Sequence, residues 1–327
     1  MPEREVFFDV SDPECDRELN AILRLVEESG WALQPSGQGV IAVCAPDGRD
    51  MGVEIHRSAR DPLPTPQMLV KPDKATVLNA LGLCDLENSL VRSIPPGHRV
   101  DKVVIGFNWT MVRSGELCGI ARSPARGTEG ARTIRPPEGF VGMDLSEVAR
   151  FLISLDPLAR SLGLAAINCF WNRVEPPDQV KPFLSKRGGL ASIEAPGNNA
   201  LIIGGFRGAL DRLPNAKIIE REPKPGDIPA RDAPAAFKTA KTLSITAQTL
   251  MNGSLAPILA ASGGVPFRNL VGPSCPACPL LLGHGLDEVF GAVILDPEAA
   301  ENFILESGTM IMLDSVATTR TLRAGHK

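Results

Sequence analysis

The sequence predicts an α/β protein: an open, doubly wound parallel sheet in the C-terminal part, preceded by a smaller α+β unit and a short α+β N-terminal extension. Three observations point there. From Leu201 onward, six short apolar runs end in glycine, a small polar residue or an acid, the first being Leu201-Ile202-Ile203-Gly204-Gly205-Phe206. Such β-branched and aliphatic runs are the pattern of parallel strands, which helices cover on both faces. Segments of helix length separate most of the runs, as a doubly wound sheet requires. Finally, 327 residues are enough for two domains and a small third piece.

Taken in order, residues 1–74 form the extension and a linker. Glu5-Val6-Phe7-Phe8 reads as a strand, and Asp12-Pro13 opens a helix through Leu19, Ile22, Leu23 and Leu25-Val26 that Gly30 closes. Gly39 to Val43 and Met51 to Ile55 flank Pro46-Asp47-Gly48, a hairpin signature, with Cys44 and His56 near its ends. Residues 58–74, rich in proline and charge, read as linker.

Residues 75–195 form the smaller α+β domain. A helix through Val77, Leu78, Leu81 and Leu90-Val91 leads to a strand from Val103 to Thr110 and a second from Leu117 to Ala121, antiparallel around Ser114-Gly115. The loop from Arg122 to Glu138 carries Arg122, Arg126, Arg132 and Arg135, which could gather an anionic ligand, but it reads first as a solvated loop. Asp144 and Glu147 have capping-box spacing. Asp156-Pro157 begins a helix through Leu162, Leu164 to Ile167 and Phe170-Trp171, with proline at the first helical position. Residues 174–197 cross to the sheet domain.

Residues 196–327 form that domain, with strands predicted at 200–203, 217–219, 242–245, 269–271, 289–295 and 310–313. Helices fit at 232–239, 250–262, 280–283 and 297–307, and the crossover at 207–216 is short. Ligands of such sheets sit beyond the carboxyl ends of the strands.

Composition narrows the function. The net charge of −4, from 34 basic and 38 acidic residues, supplies no field for nucleic acid or an anionic membrane. No window holds 18 uninterrupted apolar residues and the N-terminus has no export signal. Seven cysteines, an odd number, suit reduced thiols in the cytoplasm better than a disulfide framework. Tyrosine is absent, which removes one common general acid.

Three constellations carry chemistry. Gly204-Gly205-Phe206-Arg207-Gly208 stands where a dinucleotide fold has its phosphate loop, and Glu220 closes the second strand where such folds bind ribose. The glycine spacing and the short crossover argue against a nucleotide cofactor and for a tight turn that lets a small ligand approach. Thr246 to Ser254, including Thr249, Asn252 and Gly253, collects hydroxyls and amides at a helix start, where an anion is favoured; capping by Thr249 is compatible with that. Cys275 and Cys278 are spaced to share a transition metal, with His284 or Glu220 completing the ligands, or to stand as inert thiols in a proline-rich turn. A redox role is disfavoured by Pro276 inside the pair.

Together Glu220-Arg221, Thr246 to Ser254, Gly272-Pro273-Ser274 with Pro276 and Pro279, and Gly291-Ala292-Val293 before Asp296-Pro297 resemble the C-terminal half of a heavy-metal-chelation family long catalogued as a domain of unknown function. Ile105 to Thr110, Gly119-Ile120-Ala121 and Leu162 to Asn168 resemble its N-terminal half, so the resemblance runs from about residue 86 to 314. It implies an enolase N-terminal-like domain packed on a Rossmann-like domain with a ligand site between them, and a role with heavy metal linked to corrinoid or metallophore metabolism. Matching positions supply Asn108, Thr110 and Asn168 from the smaller domain and Gly205, Glu220, Thr249, Asn252, Gly253, Pro273 and Ser274 from the larger. Cys275 and Cys278 replace the family's usual hydroxyl or apolar residues, and residues 1–74 lie outside the resemblance. Two readings stay open: a binder of metal or of a metal-bearing small molecule, and an enzyme on a small anionic substrate with Glu220 as general acid or base. A homodimer is the default expectation for either.

Overall fold

The structure, a computed structural model, describes residues 4–9, 19–20, 23–24, 27, 32–44, 50–58, 85–124, 134–154, 156–193 and 199–325. Its contacts divide the chain into two compact units: Met1–Asp85 with Glu129–Arg132, and Leu86–Thr128 with Thr133–Lys327. Of the elements expected above, most of the helix after Asp12, the turn at Pro46-Asp47-Gly48, the linker, Val77, Leu78 and Leu81, and Arg126 and Arg132 of the arginine-bearing loop lie outside the described residues.

In the first unit β1 (Arg4–Asp9), β2 (Ala32–Gly37), β3 (Val40–Cys44) and β4 (Asp50–Ser58) form a sheet of order β1-β4-β3-β2. The expected pairing of β3 with β4 is antiparallel, and β1 joins β4 in parallel. β2 was not anticipated. It carries Pro35, a residue sheets confine to edges and bulges, and it lies at the edge with its register shifted between Pro35 and Gly37. Leu19, Val43 and Ile55 are fully buried.

The second unit opens with helix α1 (Asp85–Arg92) and a three-stranded antiparallel sheet, β5 (Lys102–Ile105), β6 (Trp109–Ser114) and β7 (Leu117–Arg122). The single strand expected from Val103 to Thr110 is therefore two, because the chain turns at Gly106, whose N–H donates to the Trp109 carbonyl (2.9 Å). Helix α2 (Leu145–Ala149) starts with the predicted capping box of Asp144 and Glu147. Helix α3 (Pro157–Trp171) starts with Asp156 accepting from Leu158 and Ala159 N–H groups and Pro157 in its first turn. From Ala159 to Trp171 every residue of α3 is buried, as befits a helix apolar on most sides whose few polar residues are hydrogen-bonded. Contact with β7 is backbone to backbone: a Cβ on Gly119 would stand 2.0 Å from the Cys169 nitrogen.

The second sheet has eight strands: β8 (Leu184–Ser185), β9 (Ala200–Ile203), β10 (Lys217–Glu220), β11 (Ile228–Pro229), β12 (Thr242–Thr246), β13 (Phe267–Val271), β14 (Glu288–Ile294) and β15 (Ala317–Arg323). Their order is β11-β10-β9-β12-β13-β14-β15-β8, parallel from β11 through β14. Five strands stand where the sequence places them. The sixth does not: Met310–Ser315 is a 3₁₀ turn that leaves Ile311 93% exposed, and the strand is β15, antiparallel to β14. Its alternating polar residues hid it, since an antiparallel strand can leave one face in water. Helices α4 (Ala233–Phe237), α5 (Gln248–Met251), α6 (Leu255–Ala261), α7 (Pro279–Gly283) and α8 (Pro297–Leu305) complete the unit. One apolar core runs from Leu86 in α1 through α3 to Leu322 in β15, so the smaller sheet, α3 and the larger sheet share an interior. Among the described residues no helix is long and apolar enough to cross a membrane.

Candidate functional site

The chain leaves β9 for β10 and β11 on one side, then returns across β9 to β12 on the other. At that reversal a sheet opens a crevice at its carboxyl edge, and here the ends of β9, β10 and β12 line a cavity of about 300 Å³. Gly204, after β9, has φ +112°, and a Cβ there would meet Thr246 at 2.8 Å, so only glycine lets the turn pass over β12. Gly205 follows, exposed, with the Glu220 carboxylate 3.6 Å from where its Cβ would be. Glu220 ends β10, lines the cavity half-buried, and has no hydrogen bond or ion pair among the described residues. Arg207 grips Asp227 with two N–H donors (3.0 and 2.5 Å), and Asp227 also accepts from the Lys224 N–H (2.8 Å), which staples the glycine turn to the β10–β11 loop. The hydrogen bond from Arg207 holds the Asp227 carboxyl below the usual carboxylate range.

The opposite wall comes from the segment after β12. Thr249 donates to the Thr246 carbonyl (2.7 Å), and Asn252 Oδ1 accepts from the Ser254 N–H (3.1 Å) and hydroxyl (2.6 Å). Gly253, at φ +72°, ends α5, and the Ser254 N–H reaches back to the Thr249 carbonyl (3.0 Å), the closing bond of a Schellman motif. The helix expected from Leu250 to Ser262 is thus two short ones, α5 of four residues and α6 of seven, and neither offers the anion-binding terminus that the sequence suggested. Behind this wall Arg160 of α3, 1% exposed, donates to the Leu250 carbonyl (2.6 Å) and the Met251 carbonyl (2.5 Å). Sequence reading passed over Arg160 and the Arg207–Asp227 pair. The signal for Arg160 was there, the lone charge in a mostly apolar helix.

Gly205, Glu220, Thr249 and Asn252 therefore meet around one crevice, with Gly253 shaping its wall. The other candidates lie elsewhere. Ser274 Oγ accepts from the Arg122 N–H (2.9 Å), and Asn168 Nδ2 donates to the carbonyls of Ser274 (3.0 Å) and Ile120 (2.8 Å), so both knit β7 and α3 to the β13 end. Asn168 Oδ1 is buried without a hydrogen-bond partner among the described residues. Thr110 shares a buried hydrogen bond with Ser123 (3.1 Å), and Asn108 donates to the Ser307 carbonyl (2.9 Å). Pro273 lines a second, mostly apolar cavity of about 350 Å³ with Phe206, Phe290 and Met310.

The thiols are interior groups. Cys275 and Cys278 are fully buried, and burial pushes Cys278 up to about 12 and Cys275 higher still. Cys275 donates weakly to the Leu270 and Pro276 carbonyls (both 3.6 Å). His284, half-buried, follows α7. Among the described residues no three His, Cys, Asp or Glu side chains assemble as a metal requires, so Cys275, Cys278 and His284 do not form such a group. The crevice itself offers one carboxylate, amides and hydroxyls, without thiolate or imidazole, a poor set for a soft metal.

Two family matches cover most of the second unit. DUF364, described as "putative heavy-metal chelation", matches residues 191–322, and DUF4213, with the same description, matches 87–170. Residues 191–322 thus belong with the DUF364 family and residues 87–170 with DUF4213. A DUF364 protein of unknown function from Desulfitobacterium hafniense superposes with a TM-score of 0.66 at 22% identity, covering 74% of this chain and 99% of its own. Another from Pyrococcus horikoshii gives 0.59 at 16% identity, covering 73% and 98%. At these identities the DUF364 structures establish the fold alone. No curated protein matches.

Proposed function

We propose that this protein binds a small polar organic ligand in the crevice formed by β9, β10 and β12, and that its part in heavy-metal handling runs through that ligand rather than through chelation by its own side chains. In this reading residues 75–195 are an enolase N-terminal-like domain, 196–327 a Rossmann-like domain, and the ligand is a metallophore or corrinoid fragment met in the cytoplasm, by a monomer or a homodimer. The observation that carries it is the Glu220 carboxylate, lining a cavity of about 300 Å³ with no hydrogen bond or ion pair among the described residues, where no soft-metal ligand stands beside it. That volume is at the low end for small-molecule sites and suits a fragment better than a whole macrocycle. The family description supplies the link to metal.

The test uses full-length protein purified without chelators. Desalted after incubation with Cu²⁺, Zn²⁺ or Cd²⁺ alone, it should retain far less than one equivalent, and native mass spectrometry should show an organic adduct that Glu220→Gln loses and Cys275→Ala/Cys278→Ala keeps. One retained equivalent that disappears in the double cysteine variant would overturn the proposal in favour of a thiol site.

A further inference from the structure

We infer that the crevice ligand carries a ribonucleoside group without a diphosphate, its ribose diol bound by Glu220. This rests on the reading above that the crevice is a ligand site and adds the chemical class. The first ground is placement. In chain order the strands from β11 to β14 stand 3-2-1-4-5-6, and Glu220 is the last residue of the second, the position from which an acid in doubly wound sheets accepts hydrogen bonds from ribose hydroxyls. Gly205 borders the same space: the Glu220 carboxylate lies 3.6 Å from its Cβ position, and both residues line the cavity.

The second ground is charge. A single carboxylate beside Arg221, and within electrostatic reach of Arg207, does not favour a cation. A neutral pair of adjacent O–H donors fits it, because an ionised carboxylate only accepts and has two oxygens to offer. An anion would meet one guanidinium of the lining, Arg221, but also the Glu220 carboxylate, while Arg207 gives two donors to Asp227.

The third ground separates nucleoside from dinucleotide. Doubly wound sheets bind a diphosphate at a helix N-terminus after the glycine turn, but here Arg207–Ala209 is one 3₁₀ turn. What remains is an apolar wall of Ile203, Ile219, Ala233 and Ile258 for a flat base, with the Gln248 amide at the rim.

Calorimetric titration of the full chain with adenosine, guanosine, cytidine and uridine tests the inference, alongside the 2′-deoxy form of whichever binds. We expect one ribonucleoside to bind at one site, and both its 2′-deoxy form and Glu220→Gln to weaken binding about tenfold to a hundredfold, the range for a hydrogen bond to a charged group. Circular dichroism and thermal unfolding of the variant, unchanged, would place that loss at the site. Binding of none of the four, or equal binding of the deoxy form, overturns the nucleoside assignment. If none binds while Glu220→Gln still loses the organic adduct, only this assignment falls; if the variant retains that adduct as well, the crevice reading falls with it.

Discussion

Cys275 and Cys278 show how much burial decides about a side chain whose spacing alone is ambiguous. At pH 7.5 a thiol of pKa 9.0 is about three parts in a hundred ionised, whereas one at about 12 is ionised less than about one part in ten thousand. Iodoacetamide at that pH, followed by peptide mass spectrometry, should therefore modify Cys278 of the native protein at least about a thousandfold more slowly than of the urea-unfolded chain. The same shift sets a pH dependence. A thiol whose pKa rises from 9.0 to about 12 on folding contributes stability that is whole below pH 9 and is lost as pH climbs toward 12. Urea midpoints should fall across that window, and less steeply for Cys278→Ala. Glu220 is the opposite case, a half-buried carboxylate that lines a cavity beside Gly205.

Among the elements, the paired helices α5 and α6 show a break legible only afterwards. The sequence Asn252-Gly253-Ser254 sits inside an apolar periodicity that continues on both sides, yet Gly253 at φ +72° and the Asn252 side chain end the first helix there. Gly253→Ala forces a Cβ into the left-handed region and should cost about 1–2 kcal/mol in urea unfolding. Because Asn252 and Thr249 line the crevice from that turn, the variant should also loosen the crevice ligand, read as loss of the adduct in native mass spectrometry. Arg160 supports the same wall from behind. Arg160→Met would strip the Leu250 and Met251 carbonyls of their donor and leave Glu87, 4.0 Å away and fully buried, facing an apolar chain. Breaking a buried charge pair from one side costs about 3–5 kcal/mol, and the unfolding midpoint should fall accordingly.

For the second unit as a whole, the crevice is held by chain segments distant in sequence: the turn after β9, the β10–β11 loop and the start of α5, backed by α3. The Arg207–Asp227 pair joins the first two. Because the folded Asp227 carboxyl is depressed, its contribution is whole above the ordinary carboxylate range and is lost as pH falls below about 4. Asp227→Asn should reproduce the acid state at pH 7, seen as faster hydrogen exchange at residues 204–209 and 224–228, and should flatten the fall in stability between pH 5 and pH 3 that the unmodified protein shows.

Five parallel strands, the caps at Asp144 and Asp156, and the family were legible from residues in a line, because apolar runs, N-cap side chains and recurring motifs act over a few neighbours. The sequence by itself also put Gly205, Glu220, Thr249 and Asn252 at strand ends, since topology sends every parallel strand's carboxyl end to one edge. Tertiary structure alone decided which candidates share a cavity. It turned Asn108, Thr110, Asn168 and Ser274 to internal hydrogen bonds, buried the thiols, and made Ala317–Arg323 rather than Met310–Leu313 the last long strand. The reason is physical. A polar side chain's role depends on whether packing gives it a partner or a cavity, and the groups that settle this come from stretches dozens of residues away.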